Sequence, residues 1–116
     1  MSAPPGGIFP AGVDLEALVA HGPWEALREG IEIQYLHRVP AQPIAALLRY
    51  QPGARVPVHR HPGVEFVHIL AGSQRDANGV YGAGNFKVNL PDTVHDLVSD
   101  DGCLVLIIWQ APVEFV

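Results

Sequence analysis

Between Ile44 and Gly79 the chain is cut at Pro52-Gly53, Pro62-Gly63, Ala71-Gly72 and Asn78-Gly79. No segment there runs more than about ten residues before a turn signal interrupts it. Helices stable enough to build a domain need several unbroken turns, whereas short strands joined by tight turns tolerate this interval. Between the breaks the apolar residues alternate or run continuously. Ile31, Ile33 and Tyr35 alternate with Glu32 and Gln34, the pattern of a half-buried strand. Strands are predicted at Ile44–Tyr50, Val56–His61, Val64–Leu70 (closed by Ala71-Gly72), Val94–Ser99 and Cys103–Trp109. Asn78-Gly79 predicts a hairpin between Ser73–Asp76 and Val80–Tyr81, with a further strand across Tyr81–Leu90. The expectation is an all-β sandwich or barrel.

Upstream the pattern differs. Met1 to Val13 is rich in Pro, Gly and Ala and reads as an arm. Asp14 is a candidate N-cap for a short helix carrying Leu15, Leu18 and Val19, which Gly22-Pro23 stops. The predicted division is therefore an arm and short helix over 1–23 and one β domain over 24–116. A chain of 116 residues with 48% apolar content has room for one core.

Composition narrows the function. Seven basic residues against twelve acidic ones give a net charge of −5 and no basic stripe, so nucleic acid is not an expected partner. The longest apolar run, Cys103–Trp109, has seven residues, too few for a membrane-spanning helix. With no Lys or Arg before Arg28, the N-terminus does not read as a secretory signal. A single cysteine excludes a disulfide framework and a Cys-based zinc finger, and the expected compartment is the reducing cytoplasm.

His59 and His61, two apart on a predicted strand, leave the same face. The Pro62-Gly63 turn then brings Glu65 into the adjacent strand, and His95 opens a later one. Three imidazoles and one carboxylate can thus converge on a divalent metal ion, with Fe, Mn or Zn expected and Ni or Cu also suited to such donors. Shuffling this composition gives His-x-His followed by Glu four positions on only about 0.015 times per chain. His68 falls on the opposite face of its strand and reads as structural or interfacial, and nothing converges on His21 or His37. Cys103 reads as a buried, inert thiol, and Trp24 and Trp109 as core or dimer contacts. Asp92 and Asp96 flank His95; they read as solvent-facing turn residues or, alternatively, as partners that orient its ring. Val67 and Ile69 share the Glu65 face and are expected to line an apolar pocket below the metal.

Gly53, five residues, His59-Arg60-His61, three residues, Glu65, six residues and Gly72 resemble the first cupin motif without a departure. Gly84, five residues, Leu90-Pro91-Asp92, two residues, His95, three residues and Ser99 keep the spacing of the second, with Leu90, Asp92 and Ser99 standing for its usual Pro, Gly and Asn. Trp24, Ala46-Leu47-Leu48-Arg49, Asp76, Gly79, Tyr81 and Gly102-Cys103 extend the resemblance to the cupin domain of ChrR-type anti-sigma factors. The resemblance implies an RmlC-like jelly-roll barrel, a homodimer, and a metal held by His59, His61, Glu65 and His95. It also implies, for anti-sigma proteins of that type, an N-terminal zinc domain with His and Cys ligands. The segment before the barrel offers His21 and no cysteine, so sigma-factor sequestration is not expected.

Two functions remain open. On six-coordinate Fe²⁺ or Mn²⁺ the four ligands leave two positions for a chelating substrate or dioxygen, as in a small non-haem dioxygenase acting on a carbonyl or aromatic compound. On tetrahedral Zn²⁺ they fill the shell, which suits a non-catalytic sensing or ligand-binding module. Either way the expected partner is a small molecule.

Overall fold

In the computed structural model, residues 12–116 are described. The arm, including the Ile8-Phe9 pair that it was expected to offer a dimer, lies almost wholly outside them. The short helix α1 spans Leu15–His21, with the Asp14 side chain accepting from the Ala17 N–H at 3.2 Å. It ends where the Gly22 N–H reaches Leu18 O and Pro23 follows. None of its residues is fully buried, so side chains from outside the helix hold it to the sheet. Gln34 Nε2 donates to Leu18 O at 2.9 Å and Trp24 Nε1 donates to Val19 O at 3.1 Å.

Ten strands follow among the described residues: β1 Glu25–Arg28, β2 Ile31–His37, β3 Ile44–Tyr50, β4 Ala54–Arg60, β5 Glu65–Asp76, β6 Gly79–Gly82, β7 Phe86–Asn89, β8 Val94–Ser99, β9 Cys103–Trp109 and β10 Glu114–Phe115. All pairings are antiparallel, and the strands curl in the order β1-β2-β3-β9-β5-β8-β4-β10, with β6 and β7 also on β5. The fold is a curled, all-antiparallel β half-barrel with one short N-terminal helix, as the resemblance implies. Its core joins Ile31, Ile33, Ala46, Leu48, Val67, Ile69 and Val105. Each fully buried Val, Leu or Ile among them contributes roughly 1.5–3 kcal/mol.

The predicted strands at 44–50, 94–99 and 103–109 match the observed ones. Two expected strands are corrected. Ala71-Gly72 does not end a strand; β5 runs on for twelve residues through it, with a register shift between Ile69 and Ala71. This lets β5 pair with β9 and β7 near its start and with β6 and β8 near its end, so one strand joins both halves of the barrel. Gly72 permits this crossing. Its φ is +74°, and a Cβ there would lie 2.0 Å from Gly102 O. The expected strand over Tyr81–Leu90 divides into β6 and β7 around Gly84 (φ +90°). Two short strands, β1 and β10, have no strong sequence signature and were not foreseen.

Candidate metal centre

β4 and β8 are antiparallel neighbours, and His59 faces His95 in register. His61 lies just past the end of β4, where its backbone N–H reaches Thr93 O at 3.0 Å and its carbonyl accepts from the Asp92 N–H at 2.7 Å. The three rings form a compact triangle, with centroids 5.0 Å apart for His59–His61, 4.6 Å for His59–His95 and 4.8 Å for His61–His95. One nitrogen from each lies within 4.8 Å of the other two.

The opposite nitrogens are all occupied. His59 Nδ1 donates to Pro57 O at 2.8 Å, His61 Nδ1 to Thr93 O at 3.1 Å with Thr93 Oγ1 at 3.0 Å, and His95 Nδ1 to Asp76 Oδ2 at 3.2 Å. Carbonyl and carboxylate oxygens can only accept, so each Nδ1 carries the proton and each Nε2 keeps its lone pair. His61 Nε2 and His95 Nε2 are buried without a hydrogen-bond partner. Burial, reinforced by the two neighbouring imidazoles, pushes His61 down to about 4. Burial also lowers His59 and His95. The triad is thus neutral at physiological pH, with unpartnered lone pairs facing one another. That donor set suits a divalent ion.

Glu65 is buried at the start of β5, beside Trp109 on β9 and Asn89 on β7. Its Oε1 accepts from Asn89 Nδ2 at 3.3 Å and its Oε2 lies 3.7 Å from His61 Nε2. Burial raises its carboxyl to about 7, against the Asn89 hydrogen bond and the Lys87 charge. The group of mutually close donors comprises the three imidazoles and leaves Glu65 just outside. Its 3.7 Å approach to His61 sets the carboxylate at the edge of the imidazole cluster.

The partner that orients His95 is neither Asp92 nor Asp96. Asp92 pairs with Arg60 at the surface, in the left-handed region (φ +67°) that its usual Gly counterpart favours, and Asp96 is exposed. Asp76 does it instead, with its side chain 4% exposed, Lys87 Nζ 3.5 Å away and the Asn78 N–H on Oδ1 at 2.9 Å. Burial works against its ionisation, but Asn78, Lys87 and His95 together hold it below its ordinary value. Lys87 in turn lies 4.4 Å above the Tyr81 ring. Only the ring order in space reveals this pair, because Asp76 lies nineteen positions from His95 in the chain. Ser99, in place of the usual Asn, donates to Ser73 O at 2.6 Å and ties β8 to β5.

A cavity of about 300 Å³ opens beside the cluster, reaching His59 and Glu65. Its wall includes Ile31, Ile33, Leu48, Ile107 and Trp109. Val67 and Ile69 do face the interior as expected but do not line it; they are 3% and 0% exposed, closed into the core. Trp109 packs against the core and lines the cavity, while Trp24 stacks under Arg49 at 4.2 Å. His68 is half-buried, 6.3 Å from Phe86 and away from the cluster. Cys103 is buried, and burial raises its thiol, so it stays protonated. Among the described residues no helix is long and apolar enough to cross a membrane.

Comparison with known proteins agrees with this architecture. A family model described as the ChrR cupin-like domain matches residues 14–113. The anti-sigma-E factor ChrR of Cereibacter sphaeroides is 32% identical over 94 residues, covering 79% of this chain. The chain spans only 44% of that relative's length. Among solved structures, the complex of Rhodobacter sphaeroides SigE with the anti-sigma ChrR aligns with a TM-score of 0.66 at 30% identity, over 74% of this chain and 47% of that one. An acetylacetone dioxygenase of Acinetobacter johnsonii aligns with a TM-score of 0.74 at 17% identity, over 80% of this chain and 71% of that one. An RmlC-like cupin of Ralstonia eutropha aligns with a TM-score of 0.70 at 22% identity, over 78% and 64% respectively. The last two establish a shared fold alone.

Proposed function

This chain belongs to the ChrR cupin-like family, and on that premise we propose that it is a metal-binding cupin of the non-haem dioxygenase type acting on a small carbonyl or aromatic compound. The supporting observation is the pair of buried, partnerless Nε2 atoms on His61 and His95, set with His59 beside an apolar cavity. Left bare, each such acceptor costs about 1–3 kcal/mol, a cost that a metal ion removes. His59, His61 and His95 would hold the ion through Nε2, with Glu65 as the fourth, anionic ligand. Bound there, an iron or manganese ion supplies Lewis acidity and redox chemistry to a chelating substrate. The protein's share is to keep three imidazoles neutral and oriented, to add one negative charge, and to enclose the substrate's body in an apolar wall.

Metal analysis of the purified protein, followed by oxygen consumption of the iron-loaded form with diketones and hydroxyaryl ketones, tests this reading. Native iron or manganese with uptake on at least one of them supports it. Native zinc without uptake overturns it and leaves a sensing module, a reading favoured by the 32% identity to an anti-sigma factor. Replacing His59 and His61 together by Ala is expected to abolish stoichiometric metal; a full equivalent retained would refute the ligand assignment. A cytoplasmic homodimer completes the proposal. A monomer in light scattering at micromolar concentration would count against the dimer.

A further inference from the structure

Strands β1 and β10 stand at opposite ends of the strand order, yet they meet across the open seam. The guanidinium carbon of Arg28 lies 4.8 Å from the centroid of the Phe115 ring. Phe115 is also the cross-strand partner of His59, with ring centroids 6.2 Å apart. All three residues line the cavity beside the imidazole cluster. Arg28 is the least exposed residue of β1, and among the described residues it takes part in no ion pair. Arg49, Arg60, Arg75 and Lys87 each meet a carboxylate; Arg38 and Arg55 do not, but both are exposed and neither lines the cavity. The one carboxylate in the cavity wall, Glu65, sits against His61 rather than Arg28.

From this juxtaposition we propose that the cavity binds a small organic anion with an apolar body, its charged oxygens held by Arg28 on the Phe115 ring and its body against Ile33, Leu48 and Ile107. The proposal rests on reading the cavity as the ligand site and adds the ligand's charge. A guanidinium stacked on a ring keeps its in-plane N–H donors free, in the fork that matches a carboxylate or enolate. Closing the seam alone requires no charge; an apolar side chain would cover Phe115 equally well. A neutral ligand would remove water from the guanidinium and offer nothing comparable in return.

The test titrates the metal-loaded protein with 4-phenylbutanoate and with the isosteric 4-phenylbutanamide by calorimetry. The anion is expected to bind at least about tenfold tighter, the usual worth of a hydrogen bond to a charged group. Arg28→Met should erase that preference, and Arg28→Lys should keep part of it. Should Arg28→Met fail to fold, Phe115→Leu removes the platform and is expected to reduce the preference by about threefold. His61→Ala should retain the preference, since His61 belongs to the imidazole cluster but does not line the cavity. Failure of the ligand assignment, seen as metal retained when His59 and His61 are both replaced by Ala, is thereby separated from failure of this proposal. Equal affinity for the two probes, no binding of either, a preference that survives Arg28→Met, one lost in His61→Ala, or one unchanged in Phe115→Leu overturns it.

Discussion

Whether Glu65 joins the three imidazoles around a metal ion can be decided by counting protons. Burial raises its carboxyl to about 7, whereas the imidazoles are shifted the other way, His61 to about 4. A ligating carboxylate must be ionised, so metal entry expels its proton wherever the free protein still holds one. For a group at about 7, the bound fraction is roughly 0.9 at pH 6 and about 0.03 at pH 8.5. His61, at about 4, adds only about 0.01 at pH 6. The sign follows: apparent affinity rises about one log unit per pH unit up to about pH 7 from this group, then levels off. Calorimetry of Zn²⁺ binding in buffers of different ionisation enthalpy measures the count directly. Wild type should release about 0.9 proton from Glu65 at pH 6 and almost none at pH 8.5, while Glu65→Gln should lose that pH 6 release. The same count in both proteins at pH 6 would show that Glu65 gives up no proton to the metal, and the argument from its raised carboxyl would have to be withdrawn.

Two further substitutions probe what surrounds the ligands. Asp76→Asn keeps the shape but removes the charge that fixes the Nδ1–H tautomer of His95, and should weaken metal binding about 10- to 100-fold. Competition with a chelator reads this, and affinity within twofold of wild type would mean that Asp76 serves only to satisfy Lys87. Gly72→Ala would place a methyl carbon 2.0 Å from Gly102 O at a φ of +74°. A loss of at least about 3 kcal/mol is expected in urea unfolding, because backbone lies on both sides of the clash. Unchanged stability would mean that β5 can cross between the sheet halves without the contact seen here.

What could be read from the chain was what local geometry dictates. His59 and His61 share a face because side chains in a strand alternate, and the Pro62-Gly63 turn returns Glu65 beside them. The strand at 103–109 announces itself by seven consecutive apolar residues, buried or half-buried apart from Ile108. Asp76 belongs to the family pattern, but neither it nor Lys87 announces its place beside the site. Each is a charged residue on a strand, where solvent exposure is the ordinary expectation, and only the folded sheet buries them together beside His95. β1 and β10 are four and two residues long, too short for periodicity to register. The apparent break at Ala71-Gly72 misled for a related reason. Gly in a strand interior marks a turn in most sequences, but here it relieves a close backbone approach, and which of the two holds depends on what lies opposite.

The same division between local and distant explains how the site can be both conspicuous and costly. Three neutral imidazoles and a carboxylate occupy ground where aliphatic side chains would each contribute roughly 1.5–3 kcal/mol. Two of the imidazole acceptors have no donor within the protein. For a domain whose total stability is of the order of 5–15 kcal/mol, that is a large sacrifice unless the cluster serves a ligand. The protein invests still more in the opposite nitrogens, which are bound by a proline carbonyl, by Thr93 and by a buried carboxylate–lysine pair. Were the histidines kept only to fill space, their rings could tilt to share protons among themselves, one Nδ1–H donating to a neighbouring Nε2. Each ring is instead held with one nitrogen close to those of the other two, an arrangement of lone pairs that repels itself when empty and suits a positive ion.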